Sequence, residues 1–213
     1  MVIKDAAGRL LQLLNNDGQR RVVIGLVGLP GSGKSTLTAR LVDAVNQHTN
    51  SCTAVALSMD GFHLTKAALA QFDNPVAALS RRGSPWTFDP AGLADKLAQL
   101  RKTPYQLTTW PDFQHGVGDP MADAISVKPE VRLIIVEGLY LLHHEHGWNL
   151  NGLLDECWYL DTSMDVAMER LVKRHMASWA MSREQALDRL AINDRLNAEI
   201  VQQSRARADA FLE

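Results

Sequence analysis

The run Gly28-Leu29-Pro30-Gly31-Ser32-Gly33-Lys34-Ser35 constrains this chain more tightly than any other stretch of it. It fills the pattern G-x-x-x-x-G-K-[ST] at every position, and each position has a physical reason. Glycines let the backbone curl until successive N–H groups point inward at an anion. A helix opening at the lysine then adds its positive end. The lysine reaches the outer phosphates of a nucleotide, and the serine hydroxyl holds a divalent cation. A purely structural glycine turn would show the same letters. Here, however, the run follows a nearly all-apolar segment, Arg21–Val27, and precedes helical periodicity from about Lys34 to Gln47. Gly28, Gly31, Ser32, Gly33, Lys34, Ser35 and Thr36 are therefore the expected nucleotide-binding residues.

The remaining chain repeats this strand-then-helix alternation, which predicts a parallel sheet covered by helices. Apolar runs at Thr53–Ser58, Arg132–Val136 and Glu156–Leu160 read as buried strands. Helical patterns fall at Ile3–Asn15, Thr65–Phe72, Pro90–Arg101 and about Met164–Met176. A last long helix starts at the capping box Ser182-Arg183-Glu184-Gln185. Asn16-Asp17-Gly18 is a turn signal. Residues 73–88 read as a long loop, and residues 104–129 as one strand around Leu107–Trp110 with an irregular excursion. The expected fold class is α/β, with a parallel sheet of about five strands, helices on both faces and a helical lid at about 170–183. The length of 213 residues suits a single domain, 1–213.

Composition excludes several partners. The net charge of −2 carries no basic excess, so no nucleic-acid partner is expected. No apolar run approaches the roughly 20 residues of a membrane span. Cys52 and Cys157 form no disulfide framework and read as buried, small apolar groups in a reducing compartment. Without a signal-peptide core at the start, the expected location is the cytoplasm. Oligomeric state is not legible in the sequence.

In an open parallel sheet, ligands bind beyond the carboxyl ends of the strands, and three acids fall there. Asp60 follows the strand next to the phosphate loop, where a carboxylate can accept the proton of an incoming hydroxyl. A turn or cap aspartate beside Gly61 is the plainer alternative. Glu137 ends the run Leu-Ile-Ile-Val and resembles an acid that holds Mg²⁺; a surface acid past a strand is its alternative. Asp161, before Thr162 and Ser163, reads as a helix cap.

Arg170, Lys173 and Arg174 lie three and four apart and share a helical face. Cations there can offset charge on a transferred phosphoryl group, although charged helix faces are usually solvated and Glu169 is near enough to pair.

Taken in order, Gly28–Ser35, Asp60-Gly61-Phe62-His63, Val136-Glu137-Gly138 and Arg170–Arg174 resemble the P-loop kinase family that includes uridine kinase, phosphoribulokinase and bacterial pantothenate kinase. Within it the chain is similar to small kinases described as nucleoside or fructose-transport-associated. Arg82-Gly83-Ser84-Pro85, Thr87-Phe88-Asp89, His115, Gly118-Asp119-Pro120 and Asn193-Asp194 with Asn197 carry that likeness. The resemblance covers about residue 20 onward. It implies a P-loop NTPase fold, ATP and Mg²⁺ as cofactors, Ser35 and Glu137 at the metal, and Lys34, Arg170 and Arg174 at the phosphates. It further implies Asp60 as base and a small-molecule acceptor among Asp60, His63, Arg82 and His115. His63 and His115 read equally well as structural loop histidines. In the resembled family Ser204–Ala210 lies near the adenine, and no strand is read after it.

Three rival readings remain at this stage. A GTPase switch needs Asn-Lys-x-Asp, and no Asn-Lys pair occurs in the chain. An ATPase or nucleotide sensor would turn over without an acceptor. A nucleoside monophosphate kinase would need a second cationic cluster, part of which Arg81-Arg82 could supply.

Overall fold

The computed structural model describes residues 1–16, 18, 20–114 and 116–213, with only the backbone described at Ile3 and Lys4. The turn expected at Asn16-Asp17-Gly18 lies partly outside the described residues, and His115 lies wholly outside them.

Five parallel strands form the central sheet in the order β2-β5-β1-β6-β7. They are β1 (Val22–Gly28), β2 (Ala54–Ser58), β5 (Leu133–Gly138), β6 (Glu156–Leu160) and β7 (Ala210–Leu212). Every residue of β1 and β5 is buried, as strands covered on both faces require. Side chains alternate between two cores. Val22, Ile24 and Leu26 meet Leu10 of α1 (Ile3–Asn16) and Leu37, Leu41 and Val45 of α2 (Lys34–Thr49). Val23 and Val27 share the opposite core with Leu93 and Leu97 of α5 (Pro90–Arg101), Leu171 of α6 (Met164–Trp179) and Val201 of α8 (Arg195–Ser204). The parallel sheet with helices on both faces is as expected. Its fifth strand, β7, is the one not anticipated; three residues are too few to show a period.

The segment expected as a loop at 73–88 contains a short helix. Asn74 caps α4 (Pro75–Ser80) by accepting from the Ala77 N–H at 3.0 Å, with Pro75 at the first position, and a 3₁₀ turn covers Pro85–Thr87. Asn-Pro reads as a breaker but here it starts a helix, as proline in a first turn does. The expected helix at Thr65–Phe72 shortens to α3 (Lys66–Leu69). Residues 104–129 hold two strands, β3 (Thr108–Gln114) and β4 (Asp119–Val127). They form a separate antiparallel hairpin, irregular between Trp110 and Asp112. The last helix is interrupted: α7 (Arg183–Arg189), opened by the expected capping box, runs through a π turn at Leu190–Asp194 into α8.

Three other expectations are corrected. Cys52 is exposed, because it sits in the turn after α2 rather than in β2; Cys157 is buried, and burial pushes its thiol pKa up. Ser163, not Asp161, caps α6, while Asp161 pairs with Arg205 at 2.5 Å. Arg21 stands outside β1 and is 1% exposed. Its guanidinium donates to the carbonyls of Leu100, Lys128 and Val131 at 2.9, 3.1 and 2.9 Å and stacks on Tyr105 at 4.3 Å. Among the described residues, no helix is long and apolar enough to cross a membrane.

Candidate active site

The phosphate loop turns sharply from β1 into α2. Gly31 and Gly33 have φ of 81° and 96°, a left-handed region that glycine enters without steric cost. Gly31 also has no room for a side chain, since a Cβ there would stand 2.2 Å from the carbonyl oxygen of Ala167 in α6. Helix α6 therefore lies directly on the loop. Arg170 donates to the Ser32 carbonyl at 3.1 Å, and the Thr162 hydroxyl donates to the same oxygen at 3.3 Å. Lys173 faces away, 72% exposed and paired with Glu169 at 3.7 Å. The cationic face read from spacing thus splits: Arg170 and Arg174 turn toward the site and Lys173 toward solvent.

At the carboxyl end of β5, Glu137 is buried and accepts hydrogen bonds from the hydroxyls of Ser35 and Ser58, both at 3.1 Å. Burial pushes its pKa up; the Lys34 ammonium opposes this and the Asp60 carboxylate adds to it. Asp60 sits on a 3₁₀ turn, Met59–Phe62, that opens as β2 ends, with its N–H donating to the Ser58 hydroxyl at 3.2 Å. Gly61 follows because the hairpin leaves nothing else: a Cβ would lie 2.2 Å from the Pro111 carbonyl oxygen. The Trp110 indole N–H donates to the Ser58 carbonyl at 2.9 Å and its ring meets Phe62 edge-on at 4.9 Å, which completes the seam.

Two cavities meet at Asp60. One, of about 280 Å³, is lined by Lys34, Ser35, Ser58, Asp60, Glu137 and Arg174. The other, of about 340 Å³, is lined among others by Asp60, His63, Arg82, Arg174, Trp179 and Asn193. Pro30, Asp60, Phe113, Leu139 and Arg174 border both. His63 is held by a 2.7 Å contact between Nδ1 and the Asp60 carbonyl. Its ring lies between Phe88 and Phe113, with centroids at 4.0 and 4.5 Å.

Arg82 also reaches the second cavity, but its guanidinium is largely occupied. It donates to the Leu64 carbonyl at 2.8 Å, to Asp119 at 2.7 Å and to the Gly118 carbonyl. Arg81 is occupied too, by the Ser84 hydroxyl at 2.9 Å, the Ile192 carbonyl at 3.2 Å and Asn197 at 3.3 Å. This pair is therefore not a free anion-binding cluster. His115 lies outside the described residues. Sequence reasoning missed Trp179 and Arg189, whose guanidinium stacks on the Trp179 ring at 4.5 Å. A lone tryptophan at the end of a helix carries no motif, so no signal pointed to it.

The donors around Ser35 suit a hard divalent cation, since Ser35 and Glu137 offer oxygen only. Among the described residues the buried Ser32 hydroxyl has no hydrogen-bond partner, an orphan within the phosphate loop itself. Both observations fit a nucleotide with its metal.

A parallel sheet of this order, with a phosphate loop after β1, an acid at the carboxyl end of β5 and arginines on a helix laid over the loop, defines a P-loop kinase. The chain belongs to the phosphoribulokinase / uridine kinase family, whose model matches residues 23–213. It is similar, at 40% identity over 209 residues, to "Putative uridine kinase C227.14" of Schizosaccharomyces pombe, with 96% of this chain and 87% of that protein covered. A solved structure from Silicibacter sp. TM1040, described as "putative fructose transport system kinase", superposes with a TM-score of 0.86 at 32% identity. The match covers 99% of this chain and 98% of that one. Phosphoribulokinase from Rhodobacter spheroides, at a TM-score of 0.64 and 18% identity, shares the fold over 92% of this chain and 71% of that one.

Proposed function

We propose that this protein transfers the γ-phosphate of ATP to a hydroxyl of a small metabolite, such as a sugar, a nucleoside or a pantothenate-like alcohol. The observation that carries this reading is the position of Asp60 on the border of both cavities, one lined by the phosphate loop and the other by aromatic and polar side chains. In this reading the phosphates lie along Gly28, Gly31, Ser32, Gly33, Lys34, Ser35 and Thr36. Ser35 and Glu137 would hold Mg²⁺, which when bound neutralises charge on the β- and γ-phosphates.

The acceptor lies in the second cavity beside His63. Its oxygen attacks phosphorus in line as its proton passes to the Asp60 carboxylate, while the bond to the β–γ bridging oxygen breaks and ADP leaves. Lys34, Arg170 and Arg174 offset charge on the phosphoryl oxygens. The α6–α7 segment at about 170–183 acts as the lid that excludes water, the competing acceptor. A monophosphate acceptor is disfavoured, because Arg81 and the two terminal nitrogens of Arg82 already donate within the protein. The net charge of −2 and two free cysteines support a cytoplasmic enzyme of small molecules rather than of nucleic acid.

The test is phosphoryl transfer from ATP-Mg²⁺ to a panel of sugars, nucleosides, pantothenate and nucleoside monophosphates, with Asp60→Asn alongside. Product from one hydroxyl acceptor, reduced by about 10²–10⁴-fold in Asp60→Asn, is expected. ADP released at one rate whatever acceptor is added would replace this reading with an acceptor-free ATPase.

A further inference from the structure

Between β5 and β6 the chain carries Leu142-His143-His144-Glu145-His146-Gly147-Trp148, a stretch the kinase chemistry does not use. Among the described residues, His143, Glu145 and His146 are grouped so that one ligand atom from each lies within 4.8 Å of the others. The geometry points to a second cation site on this loop, a His-Glu-His site for a borderline transition metal of the Zn²⁺ class, separate from the oxygen-lined site at Ser35 and Glu137.

The spacing of the two nitrogens is the first support. His143 Nε2 and His146 Nδ1 are 3.2 Å apart. Two nitrogens each about 2.0–2.1 Å from one tetrahedral zinc stand about 3.3–3.4 Å apart. The side chains thus already span one edge of such a tetrahedron, and the lone pairs that share a proton in the free protein can share a metal instead. Glu145, the third donor, is exposed, so the remaining position opens to water.

The loop is also fixed from below. Tyr140 and Trp148, each 1% exposed, anchor its two ends. The Tyr140 hydroxyl donates to the Gly83 carbonyl at 2.6 Å, and the Trp148 indole donates to the Pro85 carbonyl at 3.0 Å. Backbone bonds from His143 to Tyr140 at 2.9 Å and from Trp148 to Glu145 at 3.0 Å close the turn. His146 has φ of 55° and Gly147 of 83°, two successive left-handed residues that fold His146 back toward His143. His144 points elsewhere, with Nε2 3.3 Å from Arg207, and is not part of the set.

Ligand chemistry separates the two cation sites. Imidazole suits zinc, copper and nickel, whereas Mg²⁺ takes oxygen and keeps its waters. A metal here would clip the loop that braces Gly83 and Pro85 on the acceptor side. The assignment stands on this loop alone and is independent of the proposed kinase reaction.

The experiment is titration of the whole protein with Zn²⁺ alone, by calorimetry and by competition with a chromophoric chelator, with and without excess Mg²⁺. Expected is one Zn²⁺ per chain that excess Mg²⁺ does not displace. His146→Asn should weaken it by more than the roughly 10–100-fold typical of losing an outer-shell partner. Asparagine tolerates the left-handed backbone, so this variant keeps the turn. Glu145→Gln should weaken binding less, and thermal unfolding should shift upward with Zn²⁺ in the wild type but not in His146→Asn. Equal Zn²⁺ affinity in wild type and His146→Asn, displacement by Mg²⁺, or no binding below about 1 mM would each overturn the assignment.

Discussion

The hydroxyl of Ser35 donates to the carboxylate of Glu137 across 3.1 Å, although 102 positions separate the two residues in the chain. The contact joins the end of β1's loop to the end of β5, its neighbour in the sheet, and so places the two metal-binding candidates side by side. Because Glu137 is buried, its pKa lies above the ordinary carboxylate range, with Lys34 opposing and Asp60 reinforcing the shift.

Glu137→Gln is expected to separate stability from activity. A buried acid with a raised native pKa binds its proton more tightly folded than unfolded. Stability therefore falls as pH rises from the ordinary carboxylate range through that raised value. Glutamine still accepts from Ser35 and Ser58 without the charge. In metal-free protein at neutral pH, Glu137→Gln should raise the unfolding temperature by about 2–4 °C, which corresponds to about 1 kcal/mol. It should also flatten the stability-versus-pH slope. Phosphoryl transfer with ATP-Mg²⁺ should drop at least about 10²-fold. Melting curves across pH check the first part, and a lower melting temperature with an unchanged slope would contradict it.

Gly31→Ala tests the seating of α6 on the phosphate loop. The new methyl would meet the Ala167 carbonyl at 2.2 Å, on a backbone with φ of 81°. A loss of about 2–3 kcal/mol in denaturant unfolding is expected. Arg170→Ala, which leaves that contact intact, should instead lower kcat by about 10³-fold with little change in unfolding midpoint.

Asp155 gathers the Val23 N–H at 2.7 Å with Arg20 and Arg101 at 2.7 and 3.0 Å. Burial alone would raise its pKa, but the Val23 hydrogen bond and the two guanidinium groups outweigh this and hold it below the ordinary value. Its contribution is thus complete above the unfolded carboxylate range and is lost as pH falls through the lower native value. Asp155→Asn should cost about 2 kcal/mol at pH 7 and much less in acid, measured by urea unfolding at both pH values.

Asn197 joins the acceptor-side turn to the π turn. Its side-chain oxygen accepts from the Ser84 hydroxyl at 3.0 Å, and its amide donates to Asn193 at 3.3 Å; Asn193 in turn donates to the Arg82 carbonyl at 3.0 Å. Asn197→Ala should raise KM for the acceptor about tenfold, equivalent to about 1.4 kcal/mol, while KM for ATP stays within about twofold. Steady-state kinetics with each substrate varied would show equal effects on both if the network were merely structural.

Much of the phosphate side was legible because its chemistry is local. Gly28–Ser35 are contiguous, and Asp60 and Glu137 each end an apolar run, so strand logic alone brings them to one edge. The acceptor side was harder to read. Arg82 has a suitable charge for a substrate contact, yet Leu64, Gly118 and Asp119 occupy it through pairings between separate loops that no periodicity encodes. Lys173 and Arg174 are adjacent in sequence, and only the docking of α6 decides which of them faces the site. Trp179 and Arg189 come together across a helix turn, and β7 is too short to announce itself.

The missing space at Gly61 has a consequence for how such an enzyme could change its diet. With the Pro111 carbonyl pressed against it, the β3–β4 hairpin and the Asp60 turn form one rigid fixture. Gly116, Val117 and Gly118, at the hairpin's tip, are not the residues pressed against Gly61. In the proposed reaction they can be lengthened, shortened or recoloured to admit a different acceptor while Asp60 keeps its place.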